Sequence, residues 1–277
     1  MAGALVIVAT PIGNLGDLAP RAVEALASAD VIACEDTRHS RKLLTHAGIE
    51  RVPLVSLHQH NEQARTEELI ERMTRGERVA LITDAGMPVI SDPGGRAVRA
   101  AVDAGIAVEI VPGPSAVTAA LAVSGLPAER FCFEGFLPRK GKERSARLAA
   151  VASEERTVVI FEAPHRVRQT VADLRAVATD DDRPIAIARE LTKRFEEVWR
   201  GALADAVAHL DATEPRGEYV VVLGGAAPRA ASEADVEDAV RDRLAAGDDR
   251  KTAIATVAAE LGVPKRLVYD IAHNLRQ

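Results

Sequence analysis

Aromatic side chains are scarce, with one Trp, two Tyr and five Phe in 277 residues. A core so composed must be filled by aliphatic side chains and Ala, and recognition of nucleic acid by stacking bases on aromatic platforms is a poor expectation. Cysteine is nearly absent. Cys34 and Cys132 stand apart, with no CxxC pair and no nearby histidine cluster, which argues against a disulfide framework and against a metal site. No apolar run approaches the roughly 18 residues of a membrane-crossing helix. The opening MAGALVIVAT has no basic leader and a run too short for a signal peptide, so the expectation is a cytoplasmic chain without a membrane partner. Positive charge is in deficit, the net charge being −6, and a polyanionic partner would have to be met by a local basic patch.

What is present is a series of short apolar runs that each break into polar or Gly/Pro-rich residues. The run at 79–82 gives way to TDAGMPVISDPGG at 83–95 and then to a helix-like segment at 96–104. In an open α/β sheet such loops lie at the carboxyl ends of strands, where ligands bind. Gly86, Gly94 and Gly95 would let bare backbone approach a ligand, although an ordinary turn has the same ingredients. Similar units occur at 5–10 followed by PIGN, at 31–33 followed by CEDTRH, at 54–57 followed by HQHNE, and at 107–111 followed by PGPSA. Strand-like runs alternating with helices predict a mostly parallel sheet wrapped on both faces. Beyond Ser124 the pattern changes, with strands expected at 130–136, 157–161, 184–188 and 219–223 and a helix at 167–178. An Ala/Pro linker at 226–231 leads to helices at 233–246, 251–261 and 265–275, the last two forming a helix-turn-helix-like pair. The division expected is an α/β domain at 1–123, a second α/β domain at 124–226 and a helical tail at 227–277.

Several motifs fail on inspection. Gly135 to Lys142 has five residues between its glycines where a P-loop has four, and Glu143 replaces the magnesium-holding hydroxyl. His58 and His60 would share a strand face but lack a third ligand. Arg139, Lys140, Lys142, Arg144 and Arg147 place five cations in nine residues, offset by Glu143 alone. We read this run as a mobile basic finger suited to a phosphate backbone; a solvated charged face is the plain alternative.

The ordered segments ATPIGNL, ACEDTRHSRKLL, HQHNE, TDAGMPVISDPG, PGPSA, FEGFLPRK, APHR and ARELTK resemble the ribosomal RNA small-subunit methyltransferase I family of the tetrapyrrole methylase fold. One departure is Ala163 where that pattern has Ser. The resemblance implies a two-domain tetrapyrrole methylase fold with a small C-terminal helical domain, a homodimer, and transfer of a methyl group from S-adenosylmethionine to the ribose 2′-oxygen of a cytidine in small-subunit ribosomal RNA. It implies that Pro11, Asp84, Ala85, Gly86, Val89, Ser115, Ala116, Phe161, Glu162 and Leu191 hold the cofactor. A ribose hydroxyl is a poor nucleophile and needs a proton acceptor. Candidates are Glu35, foremost, with Asp36, His58 and Glu190; Arg38, Arg139, Lys140, Lys142, Arg144 and Lys193 are candidates to meet the RNA. A tetrapyrrole methylase and a non-catalytic RNA-binding protein are the rival readings.

Overall fold

Apolar runs of four to six residues, too short for helices and too buried for alternation, form the central strands, and the amphipathic segments between them form the covering helices. The computed structural model describes residues 3–212, 214–227 and 231–274. The chain divides into two units, Met1–Gly225 and Ala226–Gln277.

The first unit contains two sheets. In the first, β1 (Ala4–Val8), β2 (Val31–Cys34), β3 (Leu54–Ser56), β4 (Arg78–Leu81) and β5 (Ala107–Val111) are ordered β3-β2-β4-β1-β5, and all pairs are parallel. The strands β1 to β4 are each followed by a crossover helix. Leu26 of α1 (Pro20–Ala27) and Leu44 of α2 (Thr37–His46) pack with Val6, Val8 and Ile32 on one face. Leu69 and Met73 of α3 (Glu62–Thr74) and Ala101 of α4 (Gly95–Asp103) pack with Leu5, Val79 and Leu81 on the other. Asp36 caps α2 by accepting from the Arg38 and His39 amides at 2.7 and 3.4 Å.

The second sheet is ordered β6-β7-β10-β8-β9, comprising β6 (Phe131–Phe136), β7 (Thr157–Glu162), β8 (Pro184–Arg189), β9 (Glu197–Ala202) and β10 (Tyr219–Leu223). Of the paired neighbours in it, only β6 and β7 are parallel. α6 (Gly141–Ser153), α7 (Pro164–Val177) and α8 (Leu203–Asp211) cover one face through Leu148, Leu174 and Leu210. α5 (Ala116–Ser124) lies on the other face, where Val117, Ala120 and Leu121 meet Val159, Ala186 and Val220. The expected boundary at residues 123 and 124 assigns α5 to the first domain. It packs instead on the second sheet, and both sheets belong to the one unit Met1–Gly225.

Two further corrections concern this half. Neither β9 nor α8 was expected; β9 is an edge strand in which no residue is fully buried, so it lacks the apolar run that marks its neighbours. The expected mobile finger at 139–147 is mostly helix, α6 beginning at Gly141.

The second unit is three helices, α9 (Glu233–Ala245), α10 (Arg250–Glu260) and α11 (Lys265–Asn274), around Val236, Val240, Val257 and Val268. α9 starts in a capping box between Ser232 and Asp235. Residues 228–230 of the expected linker and residue 275 of the expected last helix lie outside the described residues.

Candidate active site

Three loops meet at the carboxyl edge of the first sheet. The loops after β1 and β4 are tied by a two-way backbone pair, Thr10 N–H to Gly86 O at 2.9 Å and Gly86 N–H to Thr10 O at 3.1 Å, and the Thr10 hydroxyl donates to Thr83 O at 3.1 Å. Gly86 has φ +83°, a conformation cheap only for glycine. In the loop after β5, a Cβ on Gly113 would stand 2.9 Å from the Ala9 side chain. Glu62, from the HQHNE segment, accepts from the Gly94 and Arg96 amides at 2.9 and 3.1 Å and so supplies the start of α4 with the cap its own sequence lacks.

These loops and the second sheet enclose a cavity of about 390 Å³, within the range of roughly 300–1,000 Å³ usual for small-molecule sites. Asp84, Ala85, Gly86, Ser115, Ala116, Phe161, Glu162 and Leu191, all expected at the cofactor, line it. Pro11 does not, and Ile12 takes its place. Val89 packs into the core with Leu81 and Leu69 instead. Glu162 contributes wall only, because its carboxylate is buried and turned inward to Thr170 and the Ala163 amide. Met87, Ile90, Phe136 and Tyr219 add to the apolar part of the lining.

The first-sheet rim carries carboxylates. Thr83 Oγ1 donates to Glu35 Oε2 at 3.5 Å. Burial raises the Glu35 carboxyl, and the charges of Asp92 and Asp84 raise it further. Asp92 is likewise raised by burial and by Asp84, and it lines the cavity. Sequence reasoning quoted Asp92 inside the strand-end loop without assigning it a role; its polarity in a loop otherwise poor in side-chain chemistry was the available signal. Asp36 goes the other way. The Arg38 guanidinium and amide hold it down to about 2, which makes it a helix cap and a weak proton acceptor. His58 is not among the lining residues; its amide donates to Asn61 Oδ1 at 2.8 Å, and its Nδ1 is buried without a hydrogen-bond partner. Among the described residues no group of three His, Cys, Asp or Glu is arranged to hold a metal ion.

At the opposite rim Glu190 is occupied. Its Oε1 accepts from Lys193 Nζ at 2.8 Å and from the Glu218 amide at 3.0 Å. Burial works to raise this carboxyl, but the Lys193 ammonium and the amide outweigh it and hold it below its ordinary value. Lys193 also reaches Glu218 at 3.0 Å, and its stem lies so close over Gly13 that a Cβ there would be 2.3 Å from Lys193 Cγ. Of the cations expected to meet RNA, Arg38, Arg139, Lys140 and Lys142 are exposed. Arg144 is buried and paired with Asp173 at 2.6 Å. It sits on the inward stripe of α6 with Leu148 and Val151, and this corrects its place among surface phosphate ligands.

The family model for tetrapyrrole (corrin/porphyrin) methylases matches residues 4–207. Among solved structures, diphthine synthase superposes with a TM-score of 0.62 at 18% identity, covering 80% of this chain and 90% of that one. A uroporphyrin-III C-methyltransferase from Thermus thermophilus complexed with S-adenosylhomocysteine superposes with a TM-score of 0.55 at 19% identity, covering 80% and 96%. Likenesses this distant speak to fold. Curated relatives are far nearer: proteins named ribosomal RNA small subunit methyltransferase I from Synechocystis sp. are 45% identical over 99% of this chain and 98% of the relative, and from Pseudomonas aeruginosa 47% identical over 98% and 97%. With such identity along nearly its whole length, and with the cavity between strand-end loops described above, the chain belongs to the ribosomal RNA small subunit methyltransferase I family of the tetrapyrrole (corrin/porphyrin) methylases.

Proposed function

We propose that this chain transfers a methyl group from S-adenosylmethionine to the ribose 2′-oxygen of a cytidine in small-subunit ribosomal RNA. The observation that carries the reading is the cavity itself, walled by loops of both sheets in a chain whose full-length relatives bear that enzyme's name. The lining suits the cofactor chemically. Ile12, Ala116, Phe161 and Leu191 offer apolar surface to an adenine ring, backbone at Gly86 lies bare, and Asp84 and Asp92 place negative charge where a sulfonium would be favoured.

The bound cofactor supplies an activated methyl group on sulfur. Transfer is an in-line displacement in which the C–S bond breaks as the O–C bond forms, so most of the acceleration comes from positioning. The protein's chemical task is to take the proton from the ribose hydroxyl. Glu35, outside the cavity lining but bonded by the Thr83 hydroxyl at the carboxyl edge of the sheet, fits this role: burial and neighbouring carboxylates raise it, and a raised carboxyl is the stronger base. Asp92, in the lining itself, is the second carboxyl able to share the proton. Arg139, Lys140 and Lys142, exposed after β6, would take RNA phosphates, a surface that a small macrocyclic substrate would not use.

The reading extends to a homodimer acting in the cytoplasm; sedimentation of the purified chain tests the former. No helix among the described residues is long and apolar enough to cross a membrane. The direct experiment is incubation with labelled S-adenosylmethionine and assembled small ribosomal subunits, followed by nucleoside analysis. Label in a 2′-O-methylated cytidine is expected; calorimetry showing no cofactor binding would favour a non-catalytic RNA-binding role.

A further inference from the structure

Arg144 belongs by sequence to the basic run, yet its charge is directed inward. Its Nη1 donates to Pro138 O at 2.9 Å, its Nε and Nη2 to Asp173 Oδ2 at 3.0 and 2.6 Å, and its Nη2 also to Thr170 Oγ1 at 3.1 Å. The Thr170 hydroxyl in turn donates to Glu162 Oε2 at 2.6 Å. On the other oxygen, Glu162 Oε1 accepts from the Ala163 amide at 2.9 Å and meets Arg166 Nε at 3.3 Å. Arg166 Nη2 reaches back to Leu137 O at 2.7 Å. Two guanidiniums therefore hold consecutive carbonyls of one turn, and both lead to one buried carboxylate.

The two ends of this link are unlike. Residues 137–140 join β6 to α6 and carry the exposed Arg139 and Lys140; Glu162, Ala163 and Pro164 are cavity wall. No side-chain cap bond orders the start of α6; the arginines instead anchor the turn before it, through the carbonyls of Leu137 and Pro138. Burying a guanidinium carries a desolvation cost that a surface lysine in the same run avoids. The cost is met here by bonds to a turn, an acid and a hydroxyl on other elements.

We propose that Arg144 is a positioning residue, which with Thr170, Glu162 and Arg166 fixes the turn carrying Arg139 and Lys140 in register with the cavity wall, so that an RNA phosphate held there sets the ribose against the methyl donor. The proposal rests on the RNA-methylating reading above. It makes Arg144 essential to the geometry of the RNA complex without contact between its side chain and RNA.

The test is Arg144→Lys, which keeps the charge but cannot span Pro138, Asp173 and Thr170 at once. Small-subunit binding is measured across a salt series, methyl transfer in single turnovers at saturating subunits, and cofactor affinity by calorimetry. Expected are unchanged cofactor affinity, an unchanged salt slope, and a transfer rate lowered roughly tenfold or more through misplacement. Weakened binding to small subunits with the transfer rate intact would show a direct RNA contact and overturn the proposal; so would wild-type behaviour throughout. Should Arg144→Lys lose cofactor binding or fail to fold, Thr170→Val and Thr170→Ser decide. Val keeps the volume and removes the hydroxyl between Arg144 and Glu162, whereas Ser retains it. The rate should fall in the first and recover in the second, and equal rates would overturn the proposal. A wild-type protein inactive on ribosomal RNA would sink the underlying reading; an active wild type with indifferent variants sinks only the positioning role.

Discussion

Lys193→Met separates a structural from an RNA-binding role at the rim of the cavity. Methionine keeps an apolar stem over Gly13 and removes the ammonium that joins Glu190 and Glu218. The Glu190 side chain is only 17% exposed, whereas that of Glu218 is 73% exposed, so the two bonds differ in worth. A hydrogen bond between charged groups at a mostly buried site contributes about 1.5–3 kcal/mol, and the exposed pair adds no more than ~1 kcal/mol. Taking about 2 kcal/mol in all, a unit of this size should melt roughly 4–8 °C lower.

The pH dependence supplies the check. Glu190 is held below its ordinary value in the fold, so the stability it contributes is present above the unfolded carboxyl value of about 4.3 and is lost as pH falls through the depressed folded value. The gap in melting temperature between wild type and Lys193→Met should be full at neutral pH and close on acidification. Differential scanning calorimetry across pH 3–8 reads it. Equal melting at pH 7, with a reduced salt slope for RNA binding, would refute the argument and return Lys193 to the phosphate ligands.

Other expectations follow from the same geometry. Glu35→Gln should leave cofactor affinity nearly intact while slowing methyl transfer by about 10²-fold. In the wild type, activity should rise with pH through a value above the ordinary ~4.3, because burial and Asp92 raise Glu35; an acid limb that persists unchanged in the variant assigns the base elsewhere. Gly86→Ala forces a left-handed φ of +83° on a side chain whose Cβ would meet Ile12 at 3.2 Å, at a cost of about 1–2 kcal/mol; calorimetry should show the cofactor bound up to about thirtyfold more weakly. Charge reversal at Arg139 and Lys140 should weaken binding to small subunits in a salt-dependent manner and spare the cofactor, as read by filter binding at several ionic strengths.

The first sheet and most of the cavity were legible because its parts are local. Each strand is a run such as VIAC or RVAL that breaks into its own polar or Gly/Pro-rich loop, and the loop composition of TDAGMPVISDPGG marks a backbone-rich site without reference to any neighbour. What could not be read depends on partners distant in sequence. Arg144 looks like one more surface cation until α7 supplies Asp173 and Thr170. Val89 looks like lining until α4 and β4 provide a core for it. Glu190 looks like a free carboxylate until the Glu218 amide arrives from the residue before β10. In each case the residue type is ambiguous and burial decides it.

Among the described residues, the positive φ values at residues other than glycine fall at Val89 and Ser91 in the loop after β4, and at Glu190 and Thr192 in the loop after β8. Both loops border the cavity, through Ile90 and Ser91 on one side and Leu191 on the other. Each such residue costs on the order of 1–2 kcal/mol against an ordinary conformation, and persists only where contacts over-determine it. Such contacts are present at three of the four: Val89 is held in the core, Glu190 is fixed by Lys193 and the Glu218 amide, and the Thr192 amide donates to Glu196 Oε2 at 2.6 Å. Contacts within each half thus hold the cavity-forming loops in conformations their own sequences disfavour. Variants that loosen Lys193 should consequently affect cofactor binding and stability together, whereas variants at Arg139 and Lys140 should affect neither.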